Sequence, residues 1–504
     1  MAHNNHQNNP QHCDYLIVGG GAAGCILAKR LAERSAASVI LIEAGKTDEG
    51  DPAATDLSRL DEQDDSYDWG YQAQTCADSN SAMAYARAKM LGGCANHNDC
   101  AFLQPPSSDF DHWPAGWDAA GNASAFSRIN QQLHIESSPA GNALSRAFID
   151  ANVELGLSER NFREGIASGS GWFPLNAKAA LRQSSSIAYL HPLSDLPANL
   201  QVITEVQATR ILLKQQQAVG VDTNRGKFFA RREVILCAGS INTPQLLMLS
   251  GIGNADDLQD LGIDPVQHLP GVGQNLIDHV AANIAYRLKE PTPAWQLTPC
   301  EATALIQIDA TAAAPDLLYH FVLRLREKYV DDSLFAGVSN GVKISPNVAR
   351  PKSRGQLKLV SADPNIAPAI NLNYLSDTEG YDRRLLIAGL RYARRLAASD
   401  SLAPWMDAEI FPGPDIDSDD ELTDYIRSNC ETVYHPCGTC KMGSASDPMT
   451  VVTPDLKVKG IAGLRVADAS VFADMVTVNI CNTVMMVAER AADLIFPAEN
   501  PGPS

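Results

Sequence analysis

Gly19, Gly21 and Gly24 stand in a G-x-G-x-x-G spacing directly after the apolar run Tyr15-Leu16-Ile17-Val18. The first glycine permits a tight turn, the second lets backbone approach a pyrophosphate, and the third lets a helix close onto its strand. A helix that opens at such a turn, here from Cys25 to Arg34, points free N–H groups and a partial positive charge at phosphate. Glu43 ends the next apolar run, Val39-Ile40-Leu41-Ile42, about 20 residues further on, where a carboxylate accepts from ribose hydroxyls. Strand, helix and acid together imply a dinucleotide. They do not separate a flavin from a nicotinamide, and a purely structural glycine turn is the competing reading.

The elements that must position such a site recur far along the chain. Val234-Ile235-Leu236-Cys237-Ala238 and Leu464-Arg465-Val466-Ala467-Asp468 read as further buried strands, and residues 200–213 alternate around Val202, Ile203, Val206 and Ile211. A helix is predicted over 483–494. Strands of one Rossmann-like sheet at both ends of the chain make the nucleotide domain discontinuous, over 13–156, 196–284 and 433–500. A second domain is inserted over 157–195 and 285–432, so the fold class is α/β with an α+β second domain. The acidic stretch 45–81, with Asp61-Glu62-Gln63-Asp64-Asp65, reads as a solvated loop.

Composition sets the outer bounds. The chain has 504 residues, 45% hydrophobic and 20% charged, which excludes a mostly disordered protein. Forty basic against 59 acidic residues give a net charge of −19, a surface that repels nucleic acid and anionic membranes. No apolar run is long enough to span a bilayer. Residues 1–12 read as a frayed leader rich in Asn, Gln and His, not a secretory signal. Eleven cysteines, an odd and modest number, fit reduced thiols and a cytoplasmic location.

Three longer stretches narrow the reading. The first is Gly239-Ser240-Ile241-Asn242-Thr243-Pro244-Gln245-Leu246-Leu247-Met248-Leu249-Ser250-Gly251-Ile252-Gly253, and the second is Gly271-Val272-Gly273-Gln274-Asn275-Leu276-Ile277-Asp278-His279. The third runs from Tyr434-His435-Pro436 through Val466-Ala467-Asp468-Ala469-Ser470 to Asn479. With the N-terminal glycines, these resemble the glucose–methanol–choline oxidoreductases over about residues 13 to 497. The resemblance implies FAD, an inserted substrate domain built on an antiparallel sheet, and oxidation of a small-molecule alcohol by hydride transfer to flavin N5. The stretch Leu91-Gly92-Gly93-Cys94-Ala95-Asn96-His97-Asn98-Asp99-Cys100 is similar to the choline-oxidising branch, in which a histidine at the place of His97 is bonded to the flavin 8α carbon. It therefore implies covalent FAD through His97. The other reading is an uncoupled histidine packing on the flavin's dimethylbenzene edge. A tether holds the ring in register and withdraws electron density, which makes the flavin a stronger hydride acceptor.

Oxidising an alcohol removes a proton from oxygen and a hydride from carbon, and histidine suits the first task because its pKa lies near operating pH. By resemblance His435 is that base. Asn479, whose amide is no base, orients the hydroxyl and bonds the alkoxide, and His320 positions substrate and supports negative charge. The resemblance also implies that Gly92, Gly93 and Asn98 line the ring and pyrophosphate, that Val206 meets adenine through its backbone, and that Asp468 and Ala469 lie near the ribityl chain and pyrophosphate. No metal is expected. Cys437-Gly438-Thr439-Cys440 lacks two further ligands at suitable spacing and reads as two small packing residues, with a redox disulfide as the other reading.

The chain also departs from that branch. Asp99 replaces a serine, and a carboxylate there would repel a reduced flavin unless its pKa rises or a cation partners it. No carboxylate matches the one that holds a trimethylammonium group. Arg324, Arg326 and Lys328 follow His320; facing the pocket they favour an anionic or polar substrate, and alternating outward they are solvated. The expected reaction is oxidation of a primary alcohol to the aldehyde, with O2 as acceptor giving H2O2. The alternatives are a dehydrogenase passing electrons to a quinone or protein carrier, and a non-redox FAD-containing lyase. A non-catalytic flavin carrier is disfavoured by His435 and Asn479. A homodimer is implied by resemblance alone.

Overall fold

A computed structural model of the protein describes residues 11–76, 82–137, 141–295, 297–325, 338 and 340–497. Its first sheet is assembled from distant parts of the chain. Gln11–Val18 lies between Val39–Ile42 and Gly226–Leu236, all parallel, and Leu200–Ile203 extends the sheet beyond Val39–Ile42. Leu464–Val466 adds in parallel to the C-terminal half of Gly226–Leu236, while Gln217–Thr223 and Ala208–Lys214 add antiparallel to its N-terminal half. Residues 15–18 are paired on both sides and buried on both faces, which accounts for their unbroken apolar run. The strand starts at Gln11, so Gln11 and His12 pair with Phe228 and Phe229 and do not belong to the expected leader. Residues 1–10 of that leader lie outside the described residues.

The helix Gly24–Arg34 packs back on this sheet beside the C-terminal helix Cys481–Ile495. Fully buried Glu489 of that last helix bonds Arg30, Arg128 and Tyr189, which ties the two ends of the chain together.

The second sheet is antiparallel, in the order Met406–Phe411, Ile284–Leu288, Gly341–Val348, Leu317–Val322, Ala302–Ile306 and Gly169–Trp172. Val280–Ala281 joins it to Glu431–Thr432, so the sheet begins four residues ahead of the expected domain change near 284. The helices Ala143–Glu154 and Tyr381–Ala397 cover its outer face. There Tyr319 Oη donates to Gly389 O at 3.0 Å. The inner face carries His320 opposite Ser345, with Lys343 two residues further along.

The acidic stretch is more ordered than a solvated loop. Asp51, Asp56 and Asp64 each accept from the backbone at the start of a short helix, Pro52–Thr55, Leu57–Glu62 and Asp65–Tyr67. Gln63, in the middle of the acidic cluster, is buried and donates to Ala53 O and Asn96 O. Among the described residues no helix is long and apolar enough to cross a membrane.

Candidate active site

A cavity of about 930 Å3 opens between the C-terminal ends of the parallel strands and the inner face of the antiparallel sheet. It is lined by Gly19, Gly21, Glu43, Val206, Gly93, His97, Asn98, Asp468, Ala469, His320, His435 and Asn479. These residues come from widely separated parts of the chain, and the fold brings them to one space.

At the glycine turn each glycine has its own reason. Gly19 has φ +102°, and a Cβ on it would sit 2.6 Å from Cys237 O. A Cβ on Gly24 would sit 1.9 Å from Gly19 O, so this glycine lets the helix close onto the strand and does not line the cavity. A Cβ on Gly21 would project into open space, with Gly93 Cα nearest at 3.9 Å. That opening is a cradle for a bulky group. The helix behind it has neither a side-chain cap nor an acid in its first turn, which leaves its N–H groups for an anionic ligand. Buried Glu43 accepts from Gly20 N at 2.7 Å and Gly45 N at 2.8 Å, each oxygen keeping a lone pair for a hydroxyl donor. Burial raises its carboxyl above the usual range. Val206 N donates to Glu43 O at 2.8 Å, so of its backbone only the carbonyl is left for a ligand. These groups fit the phosphates and ribose of a dinucleotide.

The loop that carries His97 is pinned from behind. Buried Asp48 accepts from Asn96 Nδ2 at 2.7 Å, Ser186 Oγ at 2.5 Å and His191 Nε2 at 2.9 Å, which holds the turn Gly93–Asn96. Gly92 belongs to this backing, whereas Gly93, expected beside it at the flavin, is in the cavity wall. A Cβ on it would strike Asn96 Nδ2 at 2.1 Å. Asp468 also serves the scaffold. Its two oxygens take bonds from Gly239 N, Thr243 Oγ1, Ser470 N and Ser470 Oγ at 2.5–2.8 Å, so what it offers the cavity is its place in the wall.

His435 has both its backbone and its ring fixed. Its N–H donates to Asp278 Oδ1 at 2.8 Å, and the other Asp278 oxygen takes Tyr85, Tyr374 and Thr432 hydroxyls. Tyr434, just before it, adopts φ +64°, and its carbonyl is held by Arg87 at 2.9 Å. The ring of His435 meets His279, Nδ1 to Nδ1, at 2.8 Å. His279 Nε2 faces two carbonyls, Ala349 O at 2.8 Å and Val476 O at 3.0 Å. Carbonyls only accept, so that nitrogen carries the proton. Burial lowers the His279 pKa, so the ring is neutral and its Nδ1 is a lone pair. His435 must then donate from Nδ1, which leaves Nε2 as the acceptor nitrogen on the cavity side, where Asn479 Nδ2 is its donor.

His435 Nε2 lies 3.3 Å from Asn479 Nδ2, and both residues line the cavity. Burial, helped by the nearby His279, His320 and Arg87, drives the His435 pKa well below the usual histidine value. Asn479 Oδ1 is buried without a partner. On the sheet, Asn347 Nδ2 is fixed as a donor by Leu318 O at 2.6 Å and also meets His320 Nδ1 at 3.0 Å, so Nδ1 accepts and Nε2 is the N–H nitrogen of His320. One histidine thereby presents an acceptor nitrogen and the other an N–H.

Sequence reading missed several neighbours of this centre. Asn283, Lys343, Ser345 and Glu431 line the same cavity, and Asn283 Nδ2 donates to Glu431 Oε2 at 2.6 Å. Arg324 also lines it and pairs with Asp61 at 2.8 Å, so it is not the outward, solvated residue of the alternating reading. Arg326 and Lys328 lie outside the described residues. Cys437 and Cys440 are fully buried and free. His279 could have been noticed as the end of the 271–279 stretch, but nothing local signals its partners.

Family models described as GMC oxidoreductase match residues 13–281 and 351–488. The chain is a GMC oxidoreductase. It is 37% identical to choline oxidase of Arthrobacter globiformis, covering 96% of this chain and 94% of the relative. It is 36% identical to an oxygen-dependent choline dehydrogenase of Vibrio vulnificus (strain YJ016), with the same coverage. Among solved structures, this GMC oxidoreductase superposes on a pyridoxine 4-oxidase from Mesorbium loti with a TM-score of 0.87 at 28% identity, covering 97% of this chain and all of the other. It superposes on a formate oxidase with a TM-score of 0.86 at 25% identity, covering 97% and 99%. It is an FAD-dependent enzyme of alcohol-type oxidation, with the α/β cofactor fold and substrate domain expected from sequence.

Proposed function

We propose that this GMC oxidoreductase oxidises a small polar primary alcohol to its aldehyde, with O2 as the acceptor. FAD, when bound, supplies the hydride acceptor and is reoxidised by dioxygen with release of hydrogen peroxide. His97 tethers the cofactor covalently. The lone pair of His435 Nε2, which accepts from Asn479 until substrate enters, takes the hydroxyl proton. Asn479 Nδ2, 3.3 Å from that nitrogen, holds the same oxygen as it becomes an alkoxide. His320 adds a second donor, so negative charge grows where donors already stand. The observation that carries this reading is the His279–His435 contact, because it leaves a base and not a donor facing the cavity.

The substrate side favours a polar alcohol over a quaternary ammonium. A trimethylammonium group wants open aromatic faces beside a carboxylate; the cavity has carboxylates, Asp99 and Glu431, and it is the open faces that it lacks. Here the cavity aromatics Trp69 and Tyr434 already carry cations of the protein itself, Lys89 at 4.6 Å and Arg87 at 5.9 Å. The wall beside the histidines is Asn283, Lys343, Ser345 and Glu431, a set that offers donors and acceptors together. Choline, the alcohol in the names of its relatives, is therefore expected to be a poorer substrate than a hydroxymethyl heteroaromatic such as pyridoxine.

The test is anaerobic mixing with a panel of primary alcohols while the visible flavin band is followed, then admission of air with peroxide measured. Bleaching by pyridoxine ahead of choline, with one peroxide per aldehyde, supports the reading. Absence of bleaching by any alcohol overturns it, and bleaching without peroxide turns it to a dehydrogenase.

A further inference from the structure

Arg182 is fully buried, yet among the described residues it pairs with no carboxylate. It ends the short strand Leu181–Arg182, entered through Ala179 and Ala180 at φ +50° and +66°. Its Nη1 donates to Asn98 Oδ1 at 3.0 Å, Cys100 Sγ at 3.1 Å and Ala95 O at 3.4 Å. Its Nε and Nη2 are buried without partners. A buried guanidinium without a carboxylate partner is held at a desolvation cost. Such a cost is offset when negative charge forms close by.

The bonds of Arg182 run to the underside of the loop that faces the cavity. Asn98 Oδ1 also takes Cys100 N at 3.2 Å, so both of its acceptor sites are occupied on the protein side. That fixes the amide orientation and turns Nδ2, which also bonds Cys481 of the same wall, towards the cavity that Asn98 lines. A donor whose carbonyl end is bonded to a cation is strengthened. The two residues that Arg182 holds, Asn98 and Cys100, bracket Asp99, which also lines the cavity, and a carboxylate in its ionised form opposes reduction of anything bound beside it.

We infer that Arg182 is a positioning residue that raises the reduction potential of the bound flavin, acting through Asn98 and offsetting Asp99. The inference rests on FAD occupying this cavity and not on which alcohol is oxidised. A neutral oxidised ring that takes two electrons and one proton gains one negative charge. A fixed cation behind a donor stabilises that product and leaves the neutral reactant almost unaffected.

The test uses the flavin-loaded enzyme and needs no alcohol. The two-electron midpoint potential is measured by dye equilibration, and the sulfite dissociation constant by titration, because sulfite adds to oxidised flavin and leaves a negative charge on the ring. Arg182→Met is expected to weaken sulfite binding by about tenfold and to move the potential negative by about 30 mV for each tenfold. Arg182→Lys, which keeps the charge, should stay within about threefold of the parent, on the same scale of charge effects. Asn98→Ala, with Arg182 in place, should move both readouts in the direction of Arg182→Met. Unchanged sulfite affinity and potential in Arg182→Met overturn the inference, as does an Arg182→Lys loss equal to that of Met. If Arg182→Met holds no flavin, the Lys and Asn98→Ala results decide, and an unchanged Asn98→Ala enzyme overturns it.

Discussion

The Nδ1 atoms of His279 and His435 stand 2.8 Å apart, and this contact leaves Nε2 as the nitrogen of His435 that can accept on the cavity side. Two carbonyls hold the proton of His279 on its far nitrogen, so its near nitrogen can only accept. The ring of His435 is thereby held in one tautomer by a neighbour that does not itself line the cavity.

His279→Leu therefore removes an acceptor and not a base. Alcohol-driven flavin reduction should fall by about 10²-fold or more, the usual scale for losing a positioned general base. The FAD content should stay that of the parent, since His279 is absent from the cavity wall. Stopped-flow reduction alongside the flavin absorbance ratio separates the two effects.

The pH profile follows from the direction of the His435 shift. Burial first, and then His279, His320 and Arg87, oppose its protonation. The base form consequently persists below the ordinary histidine value of 6.5. The acid limb of the anaerobic reduction rate should lie below that pH. Arg87→Met removes one of the opposing cations and should move the limb upward, which a rate profile across the acid range reads directly.

The glycine turn offers a paired test of fold against cofactor. Gly24→Ala places a methyl 1.9 Å from Gly19 O, and should cost about 3 kcal/mol or more, read from denaturant midpoints. Gly21→Ala meets nothing closer than 3.9 Å, so stability should change by less than about 1 kcal/mol. FAD affinity should nonetheless drop by about tenfold or more, because the methyl fills the cradle where backbone must approach the pyrophosphate.

The tether from His97 is tested by acid precipitation. Yellow colour should stay with the pellet of the parent and leave with the supernatant for His97→Ala. Colour in the supernatant of the parent would remove the covalent bond from the account.

The parallel sheet was legible because strands buried on both faces leave unbroken apolar runs, as at residues 15–18 and 39–42. The glycine spacing was legible because phosphate binding demands it locally. His435, Asn479 and His320 were found through resemblance, and the fold places them on one cavity. What stayed hidden depends on distant partners. The proton of His279 is set by Ala349 and Val476, and no local pattern reports that. Gly92 is required as glycine by its packing on Asn96, which no local pattern reports. The acidic cluster reads as solvated until capping aspartates and the buried Gln63 are seen in place. Arg182, like most arginines, looks like a surface residue in sequence, and only tertiary structure shows it buried.

The most direct measurement is single-turnover, anaerobic mixing of the flavin-loaded enzyme with its best primary alcohol, comparing the parent with His435→Ala. The account requires the reduction rate to fall by about 10³-fold or more with FAD retained, because the only lone pair set against the hydroxyl is gone. A His435→Ala enzyme that still bleaches within about threefold of the parent, well inside that range, would contradict the assignment of His435 as the base.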